Sequence, residues 1–587
     1  VPLSKFVDQY SGYKPLVQKF CILVACFGAI SVAHRLLAFK LLLTDASLDY
    51  VETYNPYRGF DPLAGLTSQY SGSLLNGLHA DFILSLALAA ILTLPHKAFS
   101  GLSFVLLSAF YTANLEHIRY NMANIDLSLI GLGADPTFLA AQLTPNQFVT
   151  FGTFLAIGAG ISTLSLIRFG NWVTTALTAV ALPFAFAPLF TINIAQPMWL
   201  QTHPLLPFGA SKKLDSDDRA FTWNDRSRTV LPIVEAGNQR KNLLLVYLEG
   251  VSEVSLRNGD MPNLQALAET QTYYSRYFAH QLVTVNGLYS TLTGQLPTFT
   301  GSSSDLLWFD MKANDAEVAG SLPNRLSAIG YHTAFIQSAE LSFMSKDKML
   351  PILGFDEIKG DGAFEAWHSR NGWGVDDLTL FENVIATIDV QPEEQPWMIA
   401  TLTTGTHAPY NIPSDFLPSE PSDRIRALKW ADEAVGFLTQ ALEARNLLEN
   451  TVVVFTSDES REQSGGTPLE DEIALNWLPL IILDSDSPAG ESRDYIMASD
   501  LPFLLMGKVT GTEQAISRAT SEPIVFGNII GRRFFWYEPT SLELWACDTA
   551  DFACGYYSEV ADLGDLSQIS SVKKAFFPNL QAVVNGQ

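Results

Sequence analysis

The stretch NLLLVYLEG, residues 242–250, sets six apolar or aromatic residues in a row and then stops abruptly on a carboxylate, Glu249. So short a continuous apolar run, closed by a glycine, is the pattern of a strand buried on both faces. Four more runs of this kind come later in the chain: HTAFIQ at 332–337, WMIATLT at 397–403, TVVVFT at 451–456 and LPLIIL at 478–483. Longer segments of helical period separate them, as in DRIRALKWADEAVGFLTQALEARN at 423–446. Strands alternating with covering helices predict an α/β domain with a mostly parallel central sheet.

Upstream the chain changes character. Its mean hydropathy is positive, +0.15 over 587 residues, and the apolar residues are concentrated in the first third. Five stretches, roughly 18–43, 78–95, 98–115, 147–168 and 172–192, are apolar enough to be read as membrane spans. The first carries His34 and Arg35 within it. Lys5, Lys14 and Lys19 precede the first span, His96 and Lys97 join the second to the third, and Arg168 joins the last two. The excess of positive charge on these ends places them in the cytoplasm, and an odd number of spans then puts the remainder of the chain outside. The expected organisation is a membrane domain over 1–192, a juxtamembrane linker over 193–240, polar and proline-containing, and an extracytoplasmic domain over 241–587.

The net charge is −25, and most of the acidic residues lie beyond residue 200. A soluble half of that sign lacks the basic face that displaces counterions from a polyphosphate, so nucleic acid is excluded as a partner. Cys21 and Cys26 fall inside the first span. Cys547 and Cys554 bracket the loop in WACDTADFAC and are a candidate disulfide on the extracytoplasmic side, with two buried thiols as the alternative.

In an open α/β sheet ligands bind at the carboxyl ends of the strands, which directs attention to the residues just after each run. Glu249 comes after the first, Thr404-Gly405-Thr406-His407 after the third, and Ser457-Asp458-Glu459 after the fourth. Glu249, Asp458 and Glu459 make an all-oxygen candidate metal set suited to Mg²⁺ or Mn²⁺, with Zn²⁺ as the alternative. Acidic residues after strands also cap helices, so the set by itself leaves both readings open. VTVNGLYSTLTGQLP, 283–297, offers hydroxyls where a loop enters a helix, and Thr284 is the candidate nucleophile and a further metal ligand. An N-cap threonine is the alternative.

These segments resemble the alkaline-phosphatase superfamily transferases that include lipoteichoic acid synthase and, more closely, the phosphoglycerol transferase of periplasmic glucans. NLLLVYLEGVSE, MPNLQALAE, TVNGLYSTLTG, GYHTAFIQSAELSFMSKDKMLPILGFDEIKG, NGWGVDDLTLF, TTGTHAPY and TSDES occur in the family's order over roughly 242–485. The resemblance implies a sulfatase-like catalytic domain outside a five-span bundle in the bacterial inner membrane. It makes Glu249, Thr284 and Asp458 ligands of one divalent metal, with Thr284 as nucleophile, and gives His407 contact with the transferred group. Lys346, in FMSKDK, is a candidate partner for a phosphate oxygen. Glu459 stands where the family has histidine, which leaves room for altered metal preference or for a lipid-binding protein without turnover.

The implied reaction takes a phosphoglycerol head group from phosphatidylglycerol to an extracytoplasmic glycan or lipid-linked acceptor through a phosphothreonine diester. A phosphoethanolamine transferase acting on phosphatidylethanolamine is the alternative at the same site. A sulfatase is disfavoured, because the cysteine or serine followed by Pro and Arg that marks its nucleophile is missing.

Overall fold

In a computed structural model of the protein, the described residues are 14–43, 71–93, 97–121, 145–166, 203, 231, 240–280, 284–296, 316–343, 346–407, 410–460, 468–511, 523–528, 533–548 and 554–566. The chain divides into two compact units, one of residues 1–129 and 143–212, the other of 130–142 and 213–587.

The first unit contains helices α1 (Lys14–Leu43), α2 (Ser71–Thr93), α3 (Lys97–Asn121) and α4 (Pro145–Leu166). Pro15–Phe39 and Leu74–Thr93 are long and apolar enough to cross a membrane; Phe99–Leu115 and Gln147–Thr163 are shorter apolar helices. The fifth stretch, 172–192, lies outside the described residues, as does most of the 193–240 linker. The helices meet around Phe27, Ile30, Tyr111 and Phe154, while Ile91, Leu106, Phe148 and Val149 point outward with 60–69 % of their surface exposed.

Several polar groups of this unit are buried among these apolar side chains. Arg35 donates from Nε and Nη2 to the two carboxylate oxygens of Asp81 at 2.6 and 2.7 Å, with both side chains almost fully buried. Tyr111 Oη lies 2.5 Å from Ser31 Oγ and 2.7 Å from His203 Nε2, and Asn114 Nδ2 lies 3.0 Å from His34 Nε2. Large apolar side chains on the outside, with an ion pair buried among apolar ones, are unlike a water-soluble bundle. Cys21 and Cys26 are free thiols; the Cys26 sulfur sits 3.6 Å from Ser162 Oγ.

In the second unit we label strands β1 (Asn242–Tyr247), β2 (Thr272–Tyr274), β3 (His332–Gln337), β4 (Glu357–Lys359), β5 (Trp397–Leu402), β6 (Thr451–Thr456), β7 (Ile481–Leu483) and β8 (Gly490–Ser492). They form one sheet in the order β8-β2-β7-β6-β1-β5-β3-β4. The segment from β6 to β4 is parallel throughout. β7, however, runs antiparallel to both β6 and β2, so the sheet is mixed, with its other pairings parallel. The run at 478–483 is divided: Pro479, which has no N–H for a ladder, separates Trp477–Leu478, in a small second sheet, from β7. Between β6 and β7 the described helix is Pro468–Asn476, and β7 returns antiparallel beside β6.

Alternation of side chains across the strands makes two cores. Leu243, Leu245, Tyr247, Met398, Val452 and Val454 face α5 (Thr284–Thr293), α6 (Lys346–Ile352) and, later in the chain, α9 (Leu501–Thr510). Leu244, Val246, Ile399, Val453 and Phe455 face α7 (Asp377–Asp389) and α8 (Asp423–Ala444). α7 and α8 begin on Asp376 and Ser422, whose side chains accept from Thr379 N and Ile425 N. Beyond α9, strands β9 (Ile524–Asn528), β10 (Arg533–Glu538), β11 (Glu543–Asp548) and β12 (Cys554–Glu559) form a separate antiparallel sheet, and Cys547 and Cys554 are register partners across β11 and β12.

Candidate active site

Three neighbouring strands deliver the candidate residues. Tyr247 at the end of β1 is in register with Leu402 of β5 and Thr456 of β6, so the residues after each strand emerge side by side. Two further backbone bonds extend the ladder past the strand ends, Leu248 N to Thr456 O at 2.8 Å and Thr403 N to Tyr247 O at 3.0 Å. Glu249 N then donates to Thr403 Oγ1 at 2.9 Å, Thr406 Oγ1 donates to Glu249 O, and the Ser457 hydroxyl sits 2.5 Å from both Leu248 O and Glu459 O. The three strand ends are thus tied together by hydroxyl groups before any carboxylate is considered.

Glu249, Asp458 and Glu459 are all buried and offer one oxygen each within 4.8 Å of one another. Carboxylates this close repel, and burial removes the water that would screen them. Burial, with the charge of Glu459 beside it, pushes the Asp458 carboxyl up to about 6, and Asp458 Oδ2 has no hydrogen-bond partner among the described residues. An oxygen-only set with surplus negative charge and an unsatisfied buried oxygen fits a hard divalent cation such as Mg²⁺ or Mn²⁺.

Thr284 is the first residue of α5 and 9 % exposed. Its helix is pressed onto the carboxylate segment: a Cβ at Gly287 would lie 1.9 Å from the Asp458 carbonyl oxygen. Only glycine permits that approach, which brings the first turn of α5 against Asp458. Lys346 opens α6 and is 2 % exposed. Burial pushes its ammonium down to about 8, opposed by the charges of Glu249, Asp458 and Glu459. All four acidic and basic candidates therefore share one electrostatic environment.

His407 lies in the loop after β5, its ring 4.3 Å from that of Trp373, which meets Phe343 edge-on at 4.9 Å; Lys346 Nζ lies 5.2 Å from the Phe343 ring centre. Phe343 and Trp373 thus form an aromatic wall joining the two head-group candidates. Trp373, between Asn371-Gly372 and Gly374, reads in sequence either as a pocket-lining residue or as core packing, and nothing in the sequence singles out Phe343. The available signal is their nearness along the chain to Lys346 and to the NGWG glycines, segments that the fold brings into one place. Cys547 and Cys554 belong to the separate C-terminal sheet.

Residues 241–501 match the Sulfatase family model. The match falls on the α/β unit, over the segment whose motif order resembles the alkaline-phosphatase superfamily transferases. More particularly, the chain is similar to phosphoglycerol transferase I of Xanthomonas axonopodis pv. citri (strain 306), 27 % identical over 254 residues, covering 39 % of this chain and 36 % of that protein. Phosphoglycerol transferase I of Escherichia coli O127:H6 is 26 % identical over 269 residues, covering 42 % and 34 %. The chain thus spans about a third of the length of these relatives. Among solved structures, the lipoteichoic acid synthase LtaP from Listeria monocytogenes superposes with a TM-score of 0.43 at 17 % identity, covering 60 % of this chain and 95 % of that one.

Proposed function

We propose that the protein is a membrane-anchored transferase that moves a phosphoglycerol head group from phosphatidylglycerol to an extracytoplasmic glycan or lipid-linked acceptor. The observation that carries this reading is the pressing of the Thr284 helix onto Asp458 within a cluster of three buried carboxylates. Similarity to phosphoglycerol transferases supports the choice of head group.

Glu249, Asp458 and Glu459, joined by Thr284, would hold one divalent cation, Mn²⁺ or Mg²⁺ before Zn²⁺, which when bound supplies positive charge for a threonine alkoxide and for phosphoryl oxygens. Thr284 Oγ1 attacks phosphorus; the bond from phosphorus to the diacylglycerol oxygen breaks, and the threonine proton ends on that oxygen. An acceptor hydroxyl then attacks the phosphothreonine diester and Thr284 regains a proton. His407 and Lys346 bind the head group, Lys346 as a cation beside a phosphate oxygen.

The inward-facing ion pair and outward-facing apolar residues of the first unit support residence in a bilayer, with residues 1–192 as a multi-pass membrane domain, 193–240 as the linker and 241–587 on the periplasmic face of a bacterial inner membrane. A second reading, a lipid-binding protein without turnover, is favoured by one residue, Glu459 in place of the family histidine.

The test is the intact mass of the protein after incubation with Mn²⁺ and phosphatidylglycerol. A phosphoglycerol-sized adduct that disappears in Thr284→Ala is the expected result. An adduct formed only with phosphatidylethanolamine reassigns the donor; no adduct and no diacylglycerol release with either lipid favours the binding protein.

A further inference from the structure

We infer that Asp377 and Asn411 are positioning residues that fix His407 by clamping both ends of its loop; this rests on the reading in which His407 meets the head group.

The loop after β5 is gripped at its start by Asp377, the first residue of α7. Asp377 Oδ1 accepts from Gly405 N at 2.9 Å and from Thr404 N at 3.3 Å. The approach is tight: a Cβ at Gly405 would lie 2.6 Å from Asp377 Oδ2. At its far end the loop is gripped through Asn411, whose Nδ2 donates to Gly374 O at 2.9 Å and whose Oδ1 accepts from Ser369 Oγ at 2.8 Å. Asn411 N closes the loop on itself by donating to Gly405 O at 3.2 Å, and His407 N donates to Thr404 O at 3.0 Å. Between these grips the His407 ring rests against Trp373.

The groups that hold the loop, Ser369, Gly374 and Asp377, come from one short segment, 369–377, and that segment is itself immobilised. Gly374 has φ +126°, and a Cβ there would lie 1.9 Å from Ser338 O at the end of β3, while Val375 N donates to the same carbonyl at 3.1 Å. The position of His407 is therefore referred to the sheet through two side chains, Asp377 and Asn411. Asp377 is fully buried with a second carboxylate, Asp376, beside it, and burial pushes Asp377 up to about 7. A buried carboxyl without a cationic partner is expensive to maintain for stability alone. It provides here an oxygen at a fixed place for two backbone N–H groups.

That function has a distinctive signature. Asparagine keeps the accepting oxygen and alanine does not, so Asp377→Asn should rescue what Asp377→Ala loses. The experiment uses the full chain with Mn²⁺ and phosphatidylglycerol, and two readouts. Hydrogen exchange of the peptide spanning 403–411 should be protected in the parent and in Asp377→Asn, and faster in Asp377→Ala and in the milder Asn411→Ala. Turnover should fall about tenfold or more in the two alanine variants, with Mn²⁺ affinity unchanged, and Asp377→Ala should cause no further loss in a His407→Ala background. Equal exchange in parent and alanine variants, losses that multiply with His407→Ala, or an Asp377→Asn variant as impaired as Asp377→Ala would overturn the inference. If the parent turns over neither phosphatidylglycerol nor phosphatidylethanolamine, the transferase reading fails, and the exchange measurement still decides the clamp. If Asp377→Ala does not fold, Asn411→Ala and Asp377→Asn decide it.

Discussion

Gly287 of the threonine helix faces the backbone of Asp458 so closely that a single added methyl would sit 1.9 Å from the Asp458 carbonyl oxygen. That contact is backbone on one side and helix on the other, so neither can yield by rotating a side chain. Gly287→Ala should cost about 1–3 kcal/mol of stability through overpacking. It should also lower turnover by more than the stability loss explains, because it moves Thr284 relative to the carboxylates. Thermal unfolding and kcat measured on the same preparation separate the two effects.

Metal content tests the carboxylate cluster directly. Purified protein equilibrated with Mn²⁺ and analysed by elemental mass spectrometry should retain one ion per chain, and Asp458→Asn should lose it. Glu459→His restores the family's ligand type and should shift retention from Mn²⁺ toward Zn²⁺ in competition. An unchanged metal ratio in that variant would remove Glu459 from the site.

Glu253, outside the carboxylate cluster, gives a pH dependence of its own. It is buried, accepts from Arg257 Nε at 2.9 Å and from the Tyr273 hydroxyl, yet burial outweighs these partners and pushes its carboxyl from 4.5 up to about 7. A folded-state value above the unfolded one means that the native protein binds the extra proton between those two values. Stability from this group is full below about pH 4.5 and is lost as pH rises through about 7. Glu253→Gln should therefore flatten the dependence of Tm on pH across that interval, while a curve identical to that of the parent would show that the group titrates normally.

In the helical unit, Asp81→Ala removes the carboxylate that takes two hydrogen bonds from the buried Arg35 guanidinium. It should destabilise by about 3–5 kcal/mol, the usual cost of breaking a buried ion pair from one side. The double change Arg35→Met with Asp81→Leu should recover most of that loss. Unfolding followed in detergent or nanodiscs measures both, and a double variant no better than Asp81→Ala would contradict the account.

The register pairing of Cys547 with Cys554 across β11 and β12 brings their backbones opposite one another. We expect a disulfide in protein matured outside the cytoplasm. Intact mass should be two hydrogens lower than for the reduced chain, and neither cysteine should be alkylated without prior reduction. Full alkylation of both in the unreduced protein would refute the bond.

The parts of the fold legible in sequence are those decided by local pattern. β1, β3, β5 and β6 fall where apolar runs stop on polar residues, and α8 falls where Leu428, Ala431, Val435, Leu438 and Leu442 repeat at helical spacing. The antiparallel direction of β7 is not legible in its apolar run, because strand direction depends on the length and path of a connection rather than on the strand's own residues. Among site residues, Glu249, Asp458 and Glu459 are readable because strand ends are readable. Phe343, Asp377 and Asn411 are not, because each matters only through a neighbour distant in sequence: Trp373 for the first, Gly405 for the second and Gly374 for the third.

The side-by-side ends of β5, β1 and β6 also bear on how the protein comes into being. Residues 249, 407 and 458 meet only when parallel strands widely separated along the chain have all docked. Parallel pairings of that kind close large loops and form late in folding. No single strand with its own loop holds a working part of the site. Under the proposed function, a nascent chain would stay inert toward lipid until the three central strands have docked.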